Sequence, residues 1–192
     1  MSELIRRPFW FLRHGETDWN ANNLAQGNVD IPLNEHGLAQ ARAAAAALVG
    51  RGIEAIAASP LGRARQTAAI AAAALGVAVE IVPELREVAF GIQEGQPMGA
   101  WFTDWVDGRA TPEGGEPFAA LRARARHALN RLLAVERHWL VVAHGGLFRA
   151  VRSEMGLTAR VRTANGTPIY CQPPEASEAA WRLLAPEETA AR

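Results

Sequence analysis

Strand-length apolar runs alternate with helix-like segments along most of this chain, and this alternation constrains its fold more than any other feature. Parallel strands need crossover connections of about a dozen residues, usually a helix, whereas antiparallel strands can be joined by tight turns. The sequence therefore predicts an α/β fold, a three-layer α/β/α sandwich whose mostly parallel sheet carries helices on both faces. The predicted strands span residues 9–13, 53–58, 77–82, 139–143 and 181–184.

Capping residues mark where the predicted helices begin and end. Asn34 is a good N-cap, and Ser59-Pro60 has the residue types of an N-cap followed by a first-turn proline. Gly76 is typical of a helix end, because glycine adopts the left-handed conformation that a C-terminal cap needs. The first predicted helix begins at residue 34 and ends at Gly50 or Gly52, and the others span residues 59–76, 117–132 and 145–156.

Length and charge set the broad class of the protein. The chain has 192 residues, which suits a single domain over residues 1–192. Its 20 basic and 20 acidic residues balance, so no overall field attracts nucleic acid or an anionic membrane. We therefore expect neither as a partner, and the sequence leaves open whether the chain forms a homodimer.

Cysteine content and hydropathy indicate where in the cell the protein is expected. Cys171 is the only cysteine, which excludes an internal disulfide and any multi-cysteine metal site. The apolar run at residues 9–12 is shorter than the ~7–15 residues of a signal-peptide core. The longest uncharged stretch, residues 66–79, is shorter than the ~18 apolar residues of a membrane span. A cytoplasmic location is therefore expected.

Every basic residue of the chain is an arginine, and no lysine occurs. Schiff-base chemistry and the lysine of a P-loop are therefore excluded. Any side chain that binds an anion through positive charge must be an arginine or a protonated histidine.

Two predicted strands end in the same way. The first continues into an Arg-His-Gly sequence that contains His14, and the fourth continues into a His-Gly-Gly sequence that contains His144. Ligands bind beyond the carboxyl ends of parallel strands, and glycine lets the backbone approach a ligand closely. One histidine-glycine pair after a strand is more often a hydrogen-bonded turn, but two such pairs favour a binding or catalytic site.

Arginine and carboxylate side chains complete the candidate set. Arg63 is predicted in the first turn of a helix, where exposed backbone N–H groups already favour an anion. Residues 84–95 offer Glu84, Glu87 and Glu94, most of which we expect to be surface charges. Arginines, histidines and a carboxylate at one sheet edge suit a phosphate monoester. Arginine forks bind phosphate oxygens, a neutral histidine can attack phosphorus, and a carboxyl group can exchange protons with the leaving oxygen and with water.

These motifs resemble the signature of the histidine phosphatase (phosphoglycerate mutase-like) superfamily. Each segment alone is a weak signal, but five segments in the family's order are specific. The segments are residues 13–20 (RHGETDWN), 33–41 (LNEHGLAQA), 59–68, 85–95 and 143–146.

The resemblance implies a role for each matching residue. His14 would be the nucleophile that becomes a phosphohistidine, Glu87 the general acid and base, and His144 the third catalytic residue. The resemblance implies that no metal is needed, and we expect no other cofactor for a hydrolase of this kind. Phosphate binding is implied for Arg13, Arg63, Asn20 and Gly145, and substrate contact for Gln26 and Gly27.

The segment that follows Glu87 bears on the choice between phosphatase and mutase. Similar mutases carry basic residues there, which hold a second phosphate or carboxylate, whereas Arg109 is the only cation in residues 96–109. We therefore expect a small lid insertion at residues 90–116 that disfavours a small bis-anionic substrate and tolerates a partly apolar leaving group. Trp101 and Trp105 are candidate substrate contacts, and the alternative is that they pack in the core.

The predicted function is metal-independent hydrolysis of a small phosphorylated metabolite. The alternatives are a cofactor-dependent phosphoglycerate mutase and a catalytically silent member that binds phosphorylated ligands. The silent member is disfavoured because no matching catalytic position is substituted. Pro117 departs from the pattern, since it replaces a serine common in phosphatase members and removes a hydroxyl group and an N–H at a helix start.

Overall fold

A six-stranded sheet forms the centre of the computed structural model, which describes residues 3–175 and 180–189. Residues 1–2, 176–179 and 190–192 of the expected domain lie outside the described part. The strands are β1 (Phe9–Arg13), β2 (Ala55–Ala58), β3 (Val79–Ile81), β4 (Trp139–Ala143), β5 (Pro168–Gln172) and β6 (Arg182–Leu184). Their order across the sheet is β3-β2-β4-β1-β5-β6.

Four strands run parallel, and two antiparallel strands extend one side of the sheet. The pairs β1–β4, β2–β3 and β2–β4 are parallel, whereas β5 is antiparallel to β1 and β6 is antiparallel to β5. The register pairs Arg13 with Ala143 at the ends of β1 and β4, and Ala58 with Val142. The residues that follow β1, β2 and β4 therefore meet at one edge of the sheet, and the predicted mostly parallel sheet is confirmed.

The sequence does not predict β5. It begins with Pro168, which lacks an N–H and is tolerated in strands at the first residue or at an edge. Three of its five side chains are only partly buried, so β5 lacks the continuous apolar run that marks β1 and β4. Its pairing with β1 is long-range, and local sequence carries little signal for such a pairing.

Helices cover both faces of the sheet, as predicted. They are α1 (Asp18–Ala21), α2 (Glu35–Leu48), α3 (Gly62–Leu75), α4 (Ala100–Val106), α5 (Phe118–Leu133) and α6 (Gly145–Glu154). Helices α2 and α3 cover one face mainly through alanines, whose small side chains let helix and sheet approach closely. Helices α5 and α6 cover the other face with larger side chains. Among the described residues, no helix combines the length and apolar character that crossing a membrane requires.

Strand β1 is buried on both faces, which explains its continuous apolar sequence. Successive side chains of a strand point to opposite faces. Trp10 and Leu12 accordingly belong to the cluster under α2 and α3, and Phe9 and Phe11 belong to the cluster under α5 and α6. The ring of Phe11 stacks on Phe148 of α6 with centroids 3.9 Å apart.

The expected lid insertion, residues 90–116, is anchored to the body of the protein. It contains a 3-10 turn (Gly91–Gln93) and α4. An isolated bridge joins Phe90 to Gly115 across its base, and a second joins Pro97 to Leu24. The segment therefore packs as a wall beside the carboxyl edge of the sheet.

Candidate active site

His14 and His144 lie side by side at the carboxyl edge of the sheet. His14 follows β1 and His144 follows β4, and the His14 N–H donates to the Ala143 carbonyl at 3.0 Å. Both imidazoles are buried, and their ring centroids are 5.2 Å apart. The parallel register of β1 and β4 brings the two histidine-glycine motifs together, because their strands end next to each other.

The imidazole of His14 is held in one orientation by its own backbone turn. Its Nδ1 lies 2.7 Å from the Gly15 carbonyl oxygen, which can only accept a hydrogen bond, so Nδ1 carries the proton. Nε2 therefore keeps its lone pair, and it accepts a hydrogen bond from Nε of Arg63 at 3.3 Å. Position 15 requires glycine because a Cβ there would collide with the Gly37 carbonyl. The unprotonated Nε2 is the atom of this site that can act as a nucleophile.

Arg63 is buried in the first turn of α3, where the helix dipole disfavours a cation. Two backbone carbonyls offset this cost, since Nη1 donates to Val29 at 2.7 Å and Nη2 donates to Gly27 at 2.8 Å. Burial lowers the pKa of Arg63 from its ordinary value, and the charge of Glu87 opposes that shift. The fold thus holds a desolvated guanidinium group in a fixed position beside the candidate nucleophile.

Arg13, the last residue of β1, supplies a second guanidinium group. Its Nη1 donates to the Thr163 carbonyl at 2.6 Å, while its Nε is buried without a hydrogen-bond partner in the described part of the chain. Burial lowers the pKa of Arg13 to about 10, against the opposing charge of Glu87, so the group stays protonated at neutral pH. A buried N–H without an acceptor is costly, and a phosphate oxygen would satisfy it.

The imidazole of His144 contacts Ser59, which the sequence predicts as a helix N-cap. Its Nε2 lies 2.6 Å from Oγ of Ser59, and its Nδ1 is buried with no partner among the described residues. The sequence predicts Ser59 as the N-cap of α3, but that helix begins at Gly62 with Leu61 as its N-cap. The N-cap prediction is wrong, because the Ser59 hydroxyl group contacts His144 and, among the described backbone N–H groups, accepts a hydrogen bond only from that of Leu61, at 3.3 Å, ahead of the helix. The position of Ser59 directly after β2 is the signal that could have identified it.

Burial and nearby positive charge keep both imidazoles neutral. The pKa of His14 lies well below its ordinary value of 6.5 because the ring is buried and because Arg63 and Arg13 are close. The pKa of His144 is lowered in the same direction by burial, by Arg63 and by His14. A bound dianion would raise both pKa values, because negative charge favours the protonated form.

Glu87 is fixed at the N-terminus of α6 by backbone donors. Its Oε1 accepts from the N–H groups of Val88 at 3.0 Å and Leu147 at 2.8 Å, and its Oε2 accepts from Gly146 at 2.8 Å. The first N–H groups of a helix have no partner within the helix, so this carboxylate completes the start of α6. Glu87 also lines the cleft beside His14, where it can exchange protons with a ligand.

The loop that carries Glu87 is tied to α5 by Arg124, which the sequence analysis does not select. Its Nη1 donates to the carbonyls of Glu84 at 2.7 Å and Arg86 at 2.8 Å. The same guanidinium group forms two hydrogen bonds with the carboxylate of Glu116, at 2.9 and 2.6 Å. Arg124 therefore braces the backbone directly before Glu87, and Glu116 serves this structural pair.

The other residues that the family pattern predicts to bind phosphate or contact the substrate line the same cleft as His14. Asn165 holds this region together, since its Nδ2 donates to Oδ1 of Asn20 at 3.0 Å and to the His14 carbonyl at 2.9 Å. The cleft volume is about 220 Å³, below the ~300–1,000 Å³ of drug-sized sites, so a small ligand fits it best. The predicted residues in its lining are Asn20, Gln26, Gly27 and Gly145.

In the described structure, the two tryptophans predicted as substrate contacts do not line the cleft. Trp105 is fully buried, and its ring packs edge-on against Phe90 with centroids 5.1 Å apart. Trp101 is half-buried and packs edge-on against the same phenylalanine at 5.2 Å. These contacts favour the packing alternative over substrate contact for both side chains. Phe102 of the same helix and Met98 line the cleft in their place.

Two arginines that the sequence analysis does not select also line the cleft. Arg149 lies on α6, and Arg162 lies in the loop between α6 and β5. The sequence-based expectation about a second anion rests on residues 96–109, whose Arg109 forms a surface pair with Asp104. Arg149 stands three residues, about one helical turn, after Gly146, and this spacing could have identified it.

The described residues form neither a reactive thiol site nor a metal centre. Cys171 is buried in β5, and burial raises the pKa of its thiol, so it is a packed side chain. Among residues 3–175 and 180–189, no group of three or more His, Cys, Asp or Glu side chains is arranged to hold a metal ion.

A known protein family matches most of the chain. The model of the histidine phosphatase superfamily (branch 1) matches residues 9–163, a range that contains the His14, Arg63, Glu87 and His144 positions. Among individual relatives, a probable phosphoglycerate mutase GpmB of Proteus mirabilis is 35% identical over 176 residues, which are 85% of this chain and 77% of the relative. The adenosylcobalamin/alpha-ribazole phosphatase of Salmonella typhimurium is 33% identical over 151 residues, which are 72% of this chain and 74% of that protein.

Solved structures share the whole architecture. A mycobacterial glucosyl-3-phosphoglycerate phosphatase, solved in complex with VO3, superimposes with a TM-score of 0.81 and 31% sequence identity. The match covers 92% of this chain and 97% of that chain. A structure described as mycobacterial hydrolase 1 gives a TM-score of 0.82 at 31% identity, over 93% of this chain and 97% of the other.

Proposed function

We propose that this chain, which belongs to branch 1 of the histidine phosphatase superfamily, hydrolyses a small phosphomonoester through a phosphohistidine intermediate. The observation that carries the proposal is the orientation of His14. Its Nδ1 is committed to the Gly15 carbonyl, and its Nε2 keeps a lone pair next to Arg63. The phosphatases of Salmonella typhimurium and mycobacteria that this chain resembles support the same reaction class.

The first chemical step forms the phosphoenzyme. Nε2 of His14 attacks phosphorus, and the bond between phosphorus and the leaving oxygen breaks. Arg13 and Arg63 bind the phosphoryl oxygens and balance their charge, which is the main form of catalysis available to phosphoryl transfer. Glu87 takes up a proton from solvent as the ester binds and gives that proton to the leaving oxygen, which departs as an alcohol.

The second step releases phosphate. Water attacks the phosphorus atom of the phosphohistidine, and the Glu87 carboxylate takes a proton from that water. The bond between phosphorus and Nε2 of His14 breaks, and the electron pair returns to Nε2. Inorganic phosphate leaves, Glu87 is protonated again, and His14 regains the tautomer in which only Nδ1 carries a proton.

His144 balances charge during both steps. It is neutral without ligand because burial and Arg63 lower its pKa, and the negative charge of a bound phosphate favours its protonated form. Its Nδ1 has no partner within the described residues, so this atom is available to donate to a phosphoryl oxygen. Ser59 holds the opposite nitrogen and fixes the ring plane.

Hydrolysis is favoured over a mutase reaction by the similar structure of a mycobacterial glucosyl-3-phosphoglycerate phosphatase, which is covered over 97% of its chain. The relatives similar in sequence include both a mutase-named protein, covered over 77% of its length, and a phosphatase, covered over 74%. We further propose that the protein acts in the cytoplasm on a small phosphorylated metabolite and needs no metal. Neither nucleic acid nor a second protein is required by this chemistry.

Hydrolysis of 4-nitrophenyl phosphate in the presence of EDTA tests the function. We expect turnover by the wild type that survives chelation and is lost in His14→Ala. His36→Ala, which changes an exposed histidine at the start of α2, is the matched control and should retain activity. Absence of turnover on every phosphomonoester tried, or turnover that survives His14→Ala, would overturn the proposal. Interconversion of phosphoglycerates that depends on a bisphosphate would establish a mutase instead.

The role of Glu87 has its own test. Glu87→Gln should slow hydrolysis of an alkyl phosphate by ~10²–10⁴, the usual value of general acid and base help, because an alkoxide leaves poorly without a proton. The loss should be smaller for 4-nitrophenyl phosphate, whose leaving group needs little protonation during phosphoenzyme formation. An undiminished rate with the alkyl phosphate would move the proton-transfer role to another residue.

A further inference from the structure

Thr67 is a buried polar residue of α3 that the proposed mechanism does not use. The other buried residues of this helix are Arg63 and three alanines, Ala64, Ala68 and Ala71. Alanine is the best helix former, whereas threonine loses side-chain freedom in a helix because it branches at Cβ. Buried polar groups also need hydrogen-bond partners inside the protein. The contacts of the Thr67 hydroxyl group therefore show what this residue contributes.

The Thr67 hydroxyl group joins two parts of the candidate active site. It donates to the Arg63 carbonyl at 2.8 Å and accepts from the Gly15 N–H at 3.1 Å. A carbonyl oxygen only accepts hydrogen bonds, so the hydroxyl hydrogen lies on the Arg63 side. The lone pairs of the hydroxyl oxygen are then free to accept from Gly15, and a single orientation of the hydroxyl group satisfies both hydrogen bonds.

The peptide unit between His14 and Gly15 is held at both of its polar ends. Its carbonyl oxygen accepts from Nδ2 of Asn165 at 2.9 Å, and its N–H group donates to Thr67. A peptide unit is planar, so two such contacts fix the orientation of the plane. Gly15 has no side chain that restricts its backbone, so these contacts supply part of the restriction. They thereby set where the next carbonyl, that of Gly15, meets Nδ1 of His14 at 2.7 Å.

These contacts form a closed ring around the imidazole of His14. Its Nδ1 faces the Gly15 carbonyl, and its Nε2 accepts from Nε of Arg63 at 3.3 Å. Thr67 connects the backbones of the same two residues, Gly15 and Arg63. All four residues are buried, and hydrogen bonds in such surroundings are stronger than in water. The Thr67 hydroxyl group therefore links the partners of both imidazole nitrogens.

We propose that Thr67 is a positioning residue for the nucleophile. Its hydroxyl group holds the Gly15 peptide so that Nδ1 of His14 stays bonded to the Gly15 carbonyl and Nε2 stays directed at phosphorus. The inference rests on the proposed phosphatase function and adds to it a residue that acts through His14. A displacement of the attacking atom by about 1 Å can lower a rate ~10²-fold, so a single hydroxyl group that prevents it has a measurable effect.

Loss of the Thr67 hydroxyl group should affect the reaction and phosphate binding differently. Thr67 is not among the described residues that line the cleft, so it does not touch the ligand. The guanidinium group of Arg63 is held by the carbonyls of Gly27 and Val29, which do not contact Thr67 in the described structure. Phosphate should therefore bind normally while the nucleophile is misdirected. A threonine that only bonds the carbonyl four residues earlier, as many helical threonines do, would change neither quantity.

Thr67→Val tests the proposal, because valine has nearly the same shape and leaves the buried Gly15 N–H without its acceptor. The first measurement is kcat/KM for 4-nitrophenyl phosphate, which covers the steps up to phosphoenzyme formation. We expect it to fall ~10- to 100-fold. The inhibition constant of inorganic phosphate should stay at the wild-type value. Thr67→Ser keeps the hydroxyl group and should retain kcat/KM within about 3-fold of the wild type.

A spectroscopic measurement shows whether the effect passes through His14. In protein labelled with 15N-histidine, the Nδ1–H correlation of His14 is assigned by its absence in His14→Ala. It should be shifted or lost in Thr67→Val and kept in Thr67→Ser. Ser153→Ala is the matched control for both measurements, since Ser153 also bonds the carbonyl four residues earlier, at 3.4 Å on α6. Thr67→Ala removes the same hydroxyl group with the best helix former and takes the place of Thr67→Val if that variant does not fold.

Failure of this inference and failure of the proposed function give different results. Wild-type kcat/KM in Thr67→Val, or an equal loss in Thr67→Ser, refutes the role of the hydroxyl group and leaves the phosphatase function standing. A fall in kcat/KM with an unchanged Nδ1–H signal, or with a matching rise in the inhibition constant of phosphate, refutes positioning through His14. If the wild type does not hydrolyse 4-nitrophenyl phosphate, the proposed function fails and this inference fails with it.

Discussion

The hydroxyl oxygen of Ser59 lies 2.6 Å from Nε2 of His144, where the neighbouring strands β2 and β4 end. Both residues are fully buried, so water does not compete for this hydrogen bond. His14 has a separate anchor, the Gly15 carbonyl at 2.7 Å. The two imidazoles of the site are therefore oriented by different partners, and each orientation can be disturbed alone.

Replacing Ser59 with alanine should impair catalysis more than folding. The variant loses the hydrogen bond that fixes His144, and we expect kcat/KM to fall about 10-fold, consistent with about 1 kcal/mol for one such bond. The unfolding midpoint should fall by only a few degrees. Ser153→Ala on α6 is the control, since that hydroxyl group makes only a long 3.4 Å contact with a backbone carbonyl. If kcat/KM falls equally in Ser59→Ala and Ser153→Ala, Ser59 has no specific role in the site.

Replacing Gly146 with alanine should displace the candidate acid and base. A Cβ at this position would lie 2.7 Å from Oε1 of Glu87 and 3.0 Å from Cγ1 of Val88. A shift of about 1 Å in a catalytic group can cost ~10²-fold in rate, and we expect a loss of that order in kcat. Gly99→Ala is the control, because its Cβ would meet Trp101 at an ordinary 3.7 Å. Wild-type kcat in Gly146→Ala would contradict the placement of Glu87 in proton transfer.

The two buried histidines should make stability depend on pH in the acid range. Their pKa values in the folded protein lie well below 6.5, because of burial first and nearby Arg63 next. The unfolded chain therefore binds more protons than the folded protein as the pH falls below 6.5. Each neutral imidazole makes its full contribution to the unfolding free energy above pH 6.5. That contribution decreases as the pH falls, by at most ~1.4 kcal/mol per pH unit per group.

Denaturant unfolding at pH 7.5, 6.5 and 5.5 measures this dependence. His14→Asn and His144→Asn should each flatten the loss of unfolding free energy between pH 6.5 and 5.5. His127→Gln, which changes an exposed histidine of α5, controls for the removal of an imidazole. If both variants show the same pH dependence of the unfolding free energy as the wild type, the conclusion that His14 and His144 are neutral is contradicted.

Trp105 and Phe102 should respond to substitution in opposite ways. Trp105 is fully buried against Phe90, so Trp105→Ala should cost about 3–5 kcal/mol of unfolding free energy. Trp105→Phe, which retains most of the packing, should keep the wild-type KM. Phe102 lines the cleft, so Phe102→Ala should raise KM with a smaller loss of stability. A raised KM in Trp105→Phe with unchanged stability would restore the substrate contact that the sequence predicts.

The parallel part of the sheet could be predicted because its strands carry their own signal. Strands β1 and β4 are buried on both faces, and their sequences are continuous apolar runs. Strands β2 and β3 are shorter than predicted, since a strand ends where its pairing partner ends. Strand β5 lacks a local signal, because Pro168 opens it and only its pairing with β1 makes it a strand.

The candidate site could be predicted where its residues belong to compact motifs. His14, Glu87 and His144 each follow a strand or lie in a short family segment, and the fold brings these segments together at the carboxyl edge of the sheet. Ser59 and Arg162 could not be assigned in this way. Ser59 contacts a residue distant along the chain, Arg162 joins the cleft lining only through the fold, and a hydroxyl group or an exposed arginine is common in loops.

Trapping of the phosphoenzyme tests the central claim most directly. Wild-type protein mixed with 32P-labelled substrate and quenched in alkali within milliseconds should carry up to one phosphoryl group per chain. Peptide mapping should place the label on Nε2 of His14, and His14→Ala should carry none. Full turnover by the wild type without a labelled enzyme, or a label on any other residue, would contradict the account.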